Sequence, residues 1–502
     1  MTPFRLRAVV ALLLGAALAG CNNDLDVTNP NARSTDNFWR SANDALQGTN
    51  AVYAGLLPLG TYGRWQVFVN DLRSDVGTAR TSPWGDLANF GRFQLPSYNW
   101  EINGQVWTDH YRGISRANQV IAFVPDIEMD ATLRSRYVGE AQFIRALLYF
   151  NLVNLYGGNI PLILEPAGDP SVRPPSSTRD AVYAQIEQDL TAAIAALPET
   201  YGGTDVGRAT KGAAQALLGK VQLQERKWAE AVATLAPVIA SNRYDLLPNY
   251  ADNFVQATEN ANRESLFEVQ MGDESTLASN IPGLSFPRMS GPCRPGWQIT
   301  FCDLRPTRWF FQQFTANDKR LDATLYYNHP TTQQIYGRPY TDLFVDDPGT
   351  ADVREDTLIF FRKYGEYYQS ENDFQRWDNP INFRVLRFAD VLLMQAEALV
   401  QLNRQGEALP LVNRVRTRAG LTPLAAVTVG DVLRERLLEF GLEGQRWLDL
   451  VRYEFNGPTV TLAELQAHDP DFSGFQAGKS ERLPIPTSET LNNPGVQQNP
   501  GW

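Results

Sequence analysis

Apolar residues recur at helical spacing in several windows of the chain. One apolar stripe lies in 211–224 and a second follows in 228–239, after a short turn at Arg226 and Lys227. An apolar residue at every third or fourth position gives a helix one face for a core. Two stripes joined by so short a turn predict an antiparallel helical hairpin, with Leu218-Gly219 in the first helix and Ala231 as the small residue where the helices cross.

Four further windows follow the same pattern. The stretch 388–419 predicts a second hairpin that ends at Gly420 in a C-cap role, and 138–155 predicts a helix whose partner is 180–197. A last helical stretch covers 430–453. Helical pairs that cannot bury their faces alone must stack. The sequence therefore predicts a mainly α fold, a tetratricopeptide-like helical-hairpin scaffold of about four repeats with long loop-rich insertions containing short strands.

The insertions have a different composition. Residues 56–110 and 243–385 are rich in Gly, Pro, Asn, Asp and aromatic residues, with short alternating segments such as 357–361 and no sustained helical period. Loops on a rigid frame are where binding residues tend to lie. Seven of the eleven tryptophans fall in these two stretches: Trp65, Trp84, Trp100, Trp107, Trp297, Trp309 and Trp377.

The N-terminus reads as a targeting segment. Arg5 and Arg7 form a positive region before an apolar run, Ala8 to Ala19, that is too short to span a bilayer, which needs about 20 residues. Leu18-Ala19-Gly20-Cys21 resembles a lipobox, in which the signal is cut before the cysteine and that cysteine carries lipid. We predict a lipoprotein signal peptide in 1–20 and a polar tether in 21–36; an ordinary secretory signal is the alternative.

Charge and composition exclude several classes of function. The 502 residues carry 45 Lys and Arg against 56 Asp and Glu, a net charge of −11, with no basic block for nucleic acid. The histidines, His110, His329 and His468, are far apart in sequence, and no Cys/His cluster occurs. The sequence 469–481 begins like a calcium loop, but its glutamate stands at position thirteen instead of twelve. We predict no metal and no cofactor.

Two of the three cysteines form a candidate pair. A protein exported by the predicted signal meets an oxidising environment, in which disulfides form. Cys293 and Cys302, on either side of a Pro/Gly-containing turn, are therefore a candidate disulfide. Such a staple would stabilise the fold by about 2–3 kcal/mol. Two free, buried thiols are the alternative.

At this point the chain resembles the RagB/SusD family of outer-membrane lipoproteins, which capture nutrients, mostly glycans, beside a TonB-dependent transporter. The resemblance runs through nearly the whole mature chain, in segments 38–57, 107–118, 140–157, 207–214, 387–394, 443–452, 483–486 and 498–502. It implies an oligosaccharide ligand, a SusC-like transporter as partner, lipid anchoring at the outer membrane facing the exterior, and no enzymatic activity.

The resemblance also divides the chain. After the signal and tether, 37–502 is one SusD-like domain. Its helical scaffold comprises 37–56, 105–242 and 386–455, its ligand-binding insertions are 57–104 and 243–385, and 456–502 is a C-terminal segment. A peptide-capturing relative is the first alternative, and a secreted glycoside hydrolase is the second.

A glycan site needs flat aromatic platforms beside polar hydrogen-bonding groups. Two windows offer both, 71–103 and 292–309. The candidate ligand-binding residues are Asp75, Arg80, Trp84, Asp86, Trp100, Asn103, Trp297 and Trp309. The alternative for any of these tryptophans is packing as satellite core under a long loop, and Trp107, in a family helix motif, is predicted to be core.

Charged residues within the helices invite a structural interpretation. Arg446, Asp449 and Arg452 stand at helical i, i+3 and i+6 spacing beside Trp447. We predict an ion-pair network that locks helix packing, not a catalytic centre. No GxSxG motif occurs in the chain, and acidic pairs are too plentiful to single out a glycosidase dyad.

Overall fold

A computed structural model describes residues 38–79, 85–94, 101–166, 173–259, 262–272, 282–293, 300–327, 334–335, 338–343, 359–366, 379–458 and 460–502. The predicted signal, tether and lipidated Cys21 lie outside the described residues. The predicted fold class is confirmed: the described chain is mainly helical, with a few short strands.

The α-helices of the described residues are, in chain order, α1 (Ala42–Tyr53), α2 (Trp65–Leu72), α3 (Gly85–Gly91), α4 (Glu101–Phe123), α5 (Ala131–Tyr156), α6 (Arg179–Ala196), α7 (Lys211–Gln224), α8 (Trp228–Ala240), α9 (Phe286–Ser290), α10 (Arg308–Gln312), α11 (Arg320–Thr324), α12 (Tyr340–Leu343), α13 (Phe388–Gln401), α14 (Gln405–Arg418), α15 (Val429–Phe440), α16 (Arg446–Arg452), α17 (Leu462–His468) and α18 (Thr487–Asn492).

The strands pair into small antiparallel ladders. They are β1 (Gly77–Ala79), β2 (Ser265–Val269), β3 (Leu304–Pro306), β4 (Leu325–Tyr326), β5 (Gln334–Ile335), β6 (Arg338–Pro339), β7 (Phe360–Phe361) and β8 (Phe383–Arg387). Within the described ranges, β1 pairs with β3, β2 with β8, β4 with β7 and β5 with β6. The strand predicted at 357–361 appears as β7, while 357 and 358 lie outside the described residues.

The long helices stack in chain order. Helix α4 packs on α5, α5 on α6, α6 on α7, α7 on α8, α8 on α13, and α13 on α14. The predicted partnership of 138–155 with 180–197 is therefore confirmed as α5 against α6. Helix α5 is buried on every side from Phe143 to Tyr156, because neighbours cover all of its faces. It is the centre of the core.

The two predicted hairpins are confirmed as α7–α8 and α13–α14. At the first crossing, a Cβ atom on Gly219 would collide with the Leu235 side chain, so glycine permits the close approach. At the end of α14, Gly420 has φ +80° and its amide donates to the Thr417 carbonyl at 3.0 Å. That is the predicted C-cap role, since a positive φ suits glycine.

Two predictions about helices are wrong. The stretch 430–453 forms two helices, α15 and α16, because Leu442 and Gly444 adopt φ of +62° and +69° and end the first helix. The first insertion, predicted to lack a sustained helical period, contains α2. Helix α2 has only eight residues, too few for a sustained helical period, and all of them are buried, including the polar Gln66, Asn70 and Asp71 on one side.

The predicted ion-pair network is confirmed. Arg452 reaches Asp449 and Glu397 on α13, each at 2.8 Å, and Arg436 on α15 reaches Asp449 at 3.0 Å. Arg446 points elsewhere and pairs with Asp75 at 2.7 Å. Such pairs fix how helices pack, because removing one partner would leave the other charge buried alone.

The C-terminal segment wraps back onto the end of α5. The Leu483 amide donates to the Leu155 carbonyl at 2.7 Å, and the Asn499 amide group donates to the Tyr156 and Leu483 carbonyls, both at 2.7 Å. The segments 483–486 and 498–502, which carry the family resemblance, therefore have a structural role. We call their contact with the end of α5 the C-terminal clasp. Among the described helices, none is both long and apolar enough to cross a membrane.

Candidate ligand-binding site

The two predicted ligand windows meet at one small sheet. Strand β1 of the first window pairs antiparallel with β3 of the second, with Gly77 opposite Pro306 and Ala79 opposite Leu304. The Thr307 amide extends the ladder by donating to the Val76 carbonyl at 2.9 Å. We call this pair of strands and the chain flanking it the β1–β3 junction.

The register determines where the flanking segments attach. Because the strands are antiparallel, the chain leaves β1 at Ala79 beside the point where it enters β3 at Leu304. Residues 80–84 follow Ala79 directly, and 294–299 precede β3 by a few residues. The predicted ligand residues Arg80, Trp84, Trp100 and Trp297 fall outside the described residues.

Asp75 lies beneath the junction and not on it. Its side chain is fully buried, and both carboxylate oxygens accept from Arg446 at 2.7 Å. Burial raises the pKa of Asp75, but Arg446 and His468 outweigh that effect and lower it to about 2. Since the carboxylate is committed to a buried ion pair, the prediction of Asp75 as a ligand contact is corrected to a supporting role.

Asn103 is also part of the core. It is 1% exposed, its amide group donates to the Pro484 carbonyl at 2.9 Å, and its Oδ1 accepts from the Tyr156 hydroxyl at 2.9 Å. It sits in the first turn of α4 and holds the C-terminal clasp. The structure corrects this prediction as well, since no polar group of Asn103 is left for a ligand. Asp86, by contrast, is exposed in the first turn of α3.

Trp309 is the predicted platform that the structure describes at the junction. It follows β3 on α10 and is half-buried. The His468 imidazole stacks on its indole, with 4.1 Å between ring centroids and 13° between planes. Because His468 covers one face of the indole, a sugar would have to use the opposite face or the edge. Arg308, beside it, is exposed.

An acidic cluster lies next to Asp75. Asp471 accepts from the Thr78 hydroxyl at 2.7 Å and from Arg92 Nε at 3.2 Å, so it ties α3 and β1 to the C-terminal segment. Asp469 accepts from the Asp471 amide at 3.0 Å, and burial raises the pKa of Asp469 to about 7. No group of three or more His, Cys, Asp or Glu placed to hold a metal occurs in the described part of the chain.

The second window carries the cysteine pair. Cys293 and Cys302 form a disulfide with 5.6 Å between their Cα atoms. Arg305 on β3 lies with Nη2 3.3 Å from Cys302 Sγ. The Phe301 amide donates to the Arg288 carbonyl at 2.9 Å, which ties the end of the loop to α9. The disulfide closes the loop that enters the junction.

Sequence reasoning missed the residues that support the junction from below. Arg446 was predicted as scaffold, but its partner Asp75 comes from the first window. His468 was considered only as a metal ligand, and nothing in the sequence placed it on Trp309. Its Nε2 lies 3.5 Å from Asp75 Oδ2, so one histidine contacts both the platform and the buried carboxylate.

Comparisons with known proteins agree with this architecture. A model described as "SusD family" matches residues 263–502, and one described as "Starch-binding associating with outer membrane" matches 25–223. The chain belongs to the SusD family, a family of glycan-binding proteins associated with the outer membrane.

Three relatives illustrate the similarity. A SusD-like protein of Bacteroides ovatus is 27% identical over 479 residues, covering 89% of this chain and 81% of that protein. The surface glycan-binding protein A from Bacteroides uniformis is 27% identical with a TM-score of 0.75, covering 91% of this chain and 99% of its own. A laminarin-binding SusD-like protein is 29% identical with a TM-score of 0.74, covering 92% and 100%.

Proposed function

We propose that this protein is a cell-surface lipoprotein that captures an oligosaccharide and passes it to a SusC-like TonB-dependent transporter, without covalent chemistry. The observation that carries the proposal is the pairing of β1 with β3, which joins two aromatic-rich windows from distant parts of the chain. Two windows rich in aromatic and polar residues, joined at one small sheet, suit a chain of sugar rings better than a single small molecule.

The proposed ligand contacts come from both windows. They are Arg80, Trp84, Asp86, Trp100, Trp297 and Trp309. Trp309 supports this assignment because its indole is half-buried and held in place by His468, so little side-chain entropy is lost when a sugar stacks on it. Names of relatives point the same way, since one similar structure is a laminarin-binding protein and another a surface glycan-binding protein.

The proposed location follows from the N-terminus. The lipobox at Leu18 to Cys21 would anchor the mature chain through lipid on Cys21, and the polar tether to residue 36 would hold the domain off the outer membrane, facing the exterior. Replacing Cys21 with Ser should abolish labelling by radioactive palmitate and release the protein from membranes. Equal labelling of wild type and C21S would refute the anchor.

A glycan array combined with a reducing-sugar assay tests the function. We expect the mature protein to bind at least one oligosaccharide class and to release no reducing ends. Binding of extended peptides instead would favour a peptide-capturing relative, and released sugar would indicate a glycoside hydrolase. Either result overturns the proposal.

Trp100→Ala tests the position of the site within the first window. We expect a clear loss of affinity for the array ligand, because a sugar ring would lose its aromatic platform. Unchanged affinity would exclude Trp100 as a platform. Trp107→Phe is a matched control, since Trp107 is 3% exposed and packs on Tyr111 and Tyr156 in the core.

A further inference from the structure

A pocket lies away from the β1–β3 junction. It opens between the loop that joins α6 to α7, the turn after α8, and β2, and its volume is about 270 Å³. Its lining includes the rings of Tyr201 and Tyr244, the apolar Leu266 and Val206, and several charged side chains. None of its lining residues belongs to the junction. Ligand pockets commonly measure about 300–1,000 Å³, so its occupant is small.

The charged groups of this pocket largely neutralise one another. Three glutamates and three arginines line it. Arg208 is held by Glu140 at 2.8 Å and Asp205 at 2.7 Å, outside the pocket lining, and Glu268 is held by Arg384 at 2.7 Å. A lining with no net charge favours an uncharged occupant over an anion or a cation.

Glu259 is the exception among these groups. Its side chain is 7% exposed and lines the pocket. Among the described residues, its hydrogen-bond donor is the Asn382 amide, which donates to Oε2 at 2.8 Å. Within the described residues no hydrogen bond reaches the other carboxyl oxygen, Oε1, so this oxygen is available to an occupant of the pocket.

The protonation of Glu259 suits a hydroxyl partner. Burial raises the pKa of Glu259 to about 7, and the Asn382 amide only partly offsets that effect. Near neutral pH the group can therefore accept a hydrogen bond as a carboxylate or donate one as a carboxylic acid. A hydroxyl can also do both. Tyrosine rings beside such a group offer apolar faces to the CH side of a sugar ring.

We infer that this pocket is a second binding site, which takes an uncharged, hydroxyl-rich molecule about the size of one sugar ring, with Glu259 as its central hydrogen-bonding group. We call it the Glu259 pocket. The inference goes beyond oligosaccharide capture at the junction and does not depend on it, because the two sites share no residue.

Saturation-transfer difference NMR on the full mature chain tests this inference, with D-glucose, D-galactose, D-mannose and D-xylose as probes. We expect at least one probe to bind. Val206 is 52% exposed, so V206W should fold and block the mouth of the pocket. It should weaken binding by about tenfold or more, equivalent to at least about 1.4 kcal/mol. E259Q keeps the shape of the side chain and should weaken binding by about threefold to tenfold.

Two controls locate the site. L491W adds the same bulk at another exposed apolar residue, since Leu491 is 76% exposed, and should bind as wild type does. W309A alters the junction alone and should also leave monosaccharide binding unchanged. Binding by none of the four probes, unchanged binding in both V206W and E259Q, or loss of binding in W309A would each overturn the inference. None of these results decides whether the junction binds an oligosaccharide.

Discussion

The helical scaffold and the β1–β3 junction use the same residue types in opposite ways. In the scaffold, Arg387 is 1% exposed and contacts Glu264, Glu439 and Glu443 at 2.6 to 2.9 Å. At the junction, Arg308 and Asp86 are exposed and Trp309 is half-buried. The residue type is therefore a poor guide to function in this protein, whereas burial separates a structural ion pair from a group that can meet a ligand.

The boundary between the two regions runs through α2 and the turn after it. Asp71 and Asp75 are both fully buried, one turn apart, yet their environments differ. Burial raises the pKa of Asp71 to about 8, only partly offset by the Gly444 amide, whereas Arg446 and His468 hold that of Asp75 at about 2 despite burial. At neutral pH, Asp75 therefore connects the junction to the scaffold as a charged carboxylate, whereas Asp71 does so as a neutral carboxylic acid.

The largest expected effect comes from breaking the scaffold network. Arg387→Met removes the cation shared by three buried glutamates and leaves them with Arg418, Arg320 and Lys363, of which Arg320 also pairs with Asp318 and Glu435. We expect unfolding free energy to fall by about 3–5 kcal/mol. Urea denaturation at neutral pH measures it.

The matched control is an exposed arginine pair. Arg404 and Glu407 form a similar contact at 2.7 Å, but both side chains are exposed. Arg404→Met should leave the denaturation midpoint unchanged, because solvent screens exposed pairs. An equal loss of stability in Arg387→Met and Arg404→Met would show that burial does not determine how much an ion pair stabilises this protein.

The next largest effect is a change in unfolding free energy whose dependence on pH differs between Asp75 and Asp71 variants. Asp75→Asn should cost about 3 kcal/mol at neutral pH, because Arg446 loses its buried partner. Because folding lowers the pKa of Asp75, its carboxylate stabilises the fold at pH values above the unfolded pKa of about 3.9. That stabilisation disappears as pH falls through the folded pKa of about 2. The difference between wild type and variant should therefore shrink below about pH 4.

Asp71→Asn should show the opposite trend. A raised pKa means that ionising Asp71 costs stability progressively between the unfolded value of about 3.9 and the folded value of about 8. The amide variant does not ionise, so its stability relative to wild type should rise over that range. Denaturation curves at about pH 5 and about pH 9 check this, and parallel pH profiles for both variants would contradict the assignment.

Removing the disulfide beside the junction should reduce the stability of the protein by a smaller amount. Replacing Cys293 and Cys302 by Ser opens a loop with a sequence separation of 9, which should cost about 2–3 kcal/mol by chain entropy. Thermal denaturation of the double variant measures it. Alkylation of both thiols in native protein without reductant, detected by mass spectrometry, would show that the bond does not form.

Much of the scaffold could be predicted because its long helices carry apolar residues at helical spacing over several turns. The hairpins α7–α8 and α13–α14 follow from apolar periodicity, and the Arg452 network follows from charges at helical spacing. Helix α2 could not be found this way, because its eight residues are too few to show a sustained period. The break between α15 and α16 depends on positive φ at Leu442, which sequence periodicity does not report.

The candidate site was less predictable because it depends on contacts between distant segments. The two windows could be chosen from their aromatic and polar composition, but not their pairing through β1 and β3. Nor could composition tell that Asp75 and Asn103 face inward while Asp86 faces solvent. Those outcomes depend on Arg446, His468 and the C-terminal clasp, all far along the chain.

The most direct test of the account is isothermal titration calorimetry of the strongest array oligosaccharide against wild type, Trp309→Ala and Trp502→Ala. Trp502 is a matched control, since it lies at the C-terminus over Lys479, 4.4 Å from its ammonium group. We expect Trp309→Ala to bind about tenfold more weakly, equivalent to about 1.4 kcal/mol of lost stacking, and Trp502→Ala to bind like wild type. Equal affinities for Trp309→Ala and wild type would contradict the placement of the glycan at the β1–β3 junction.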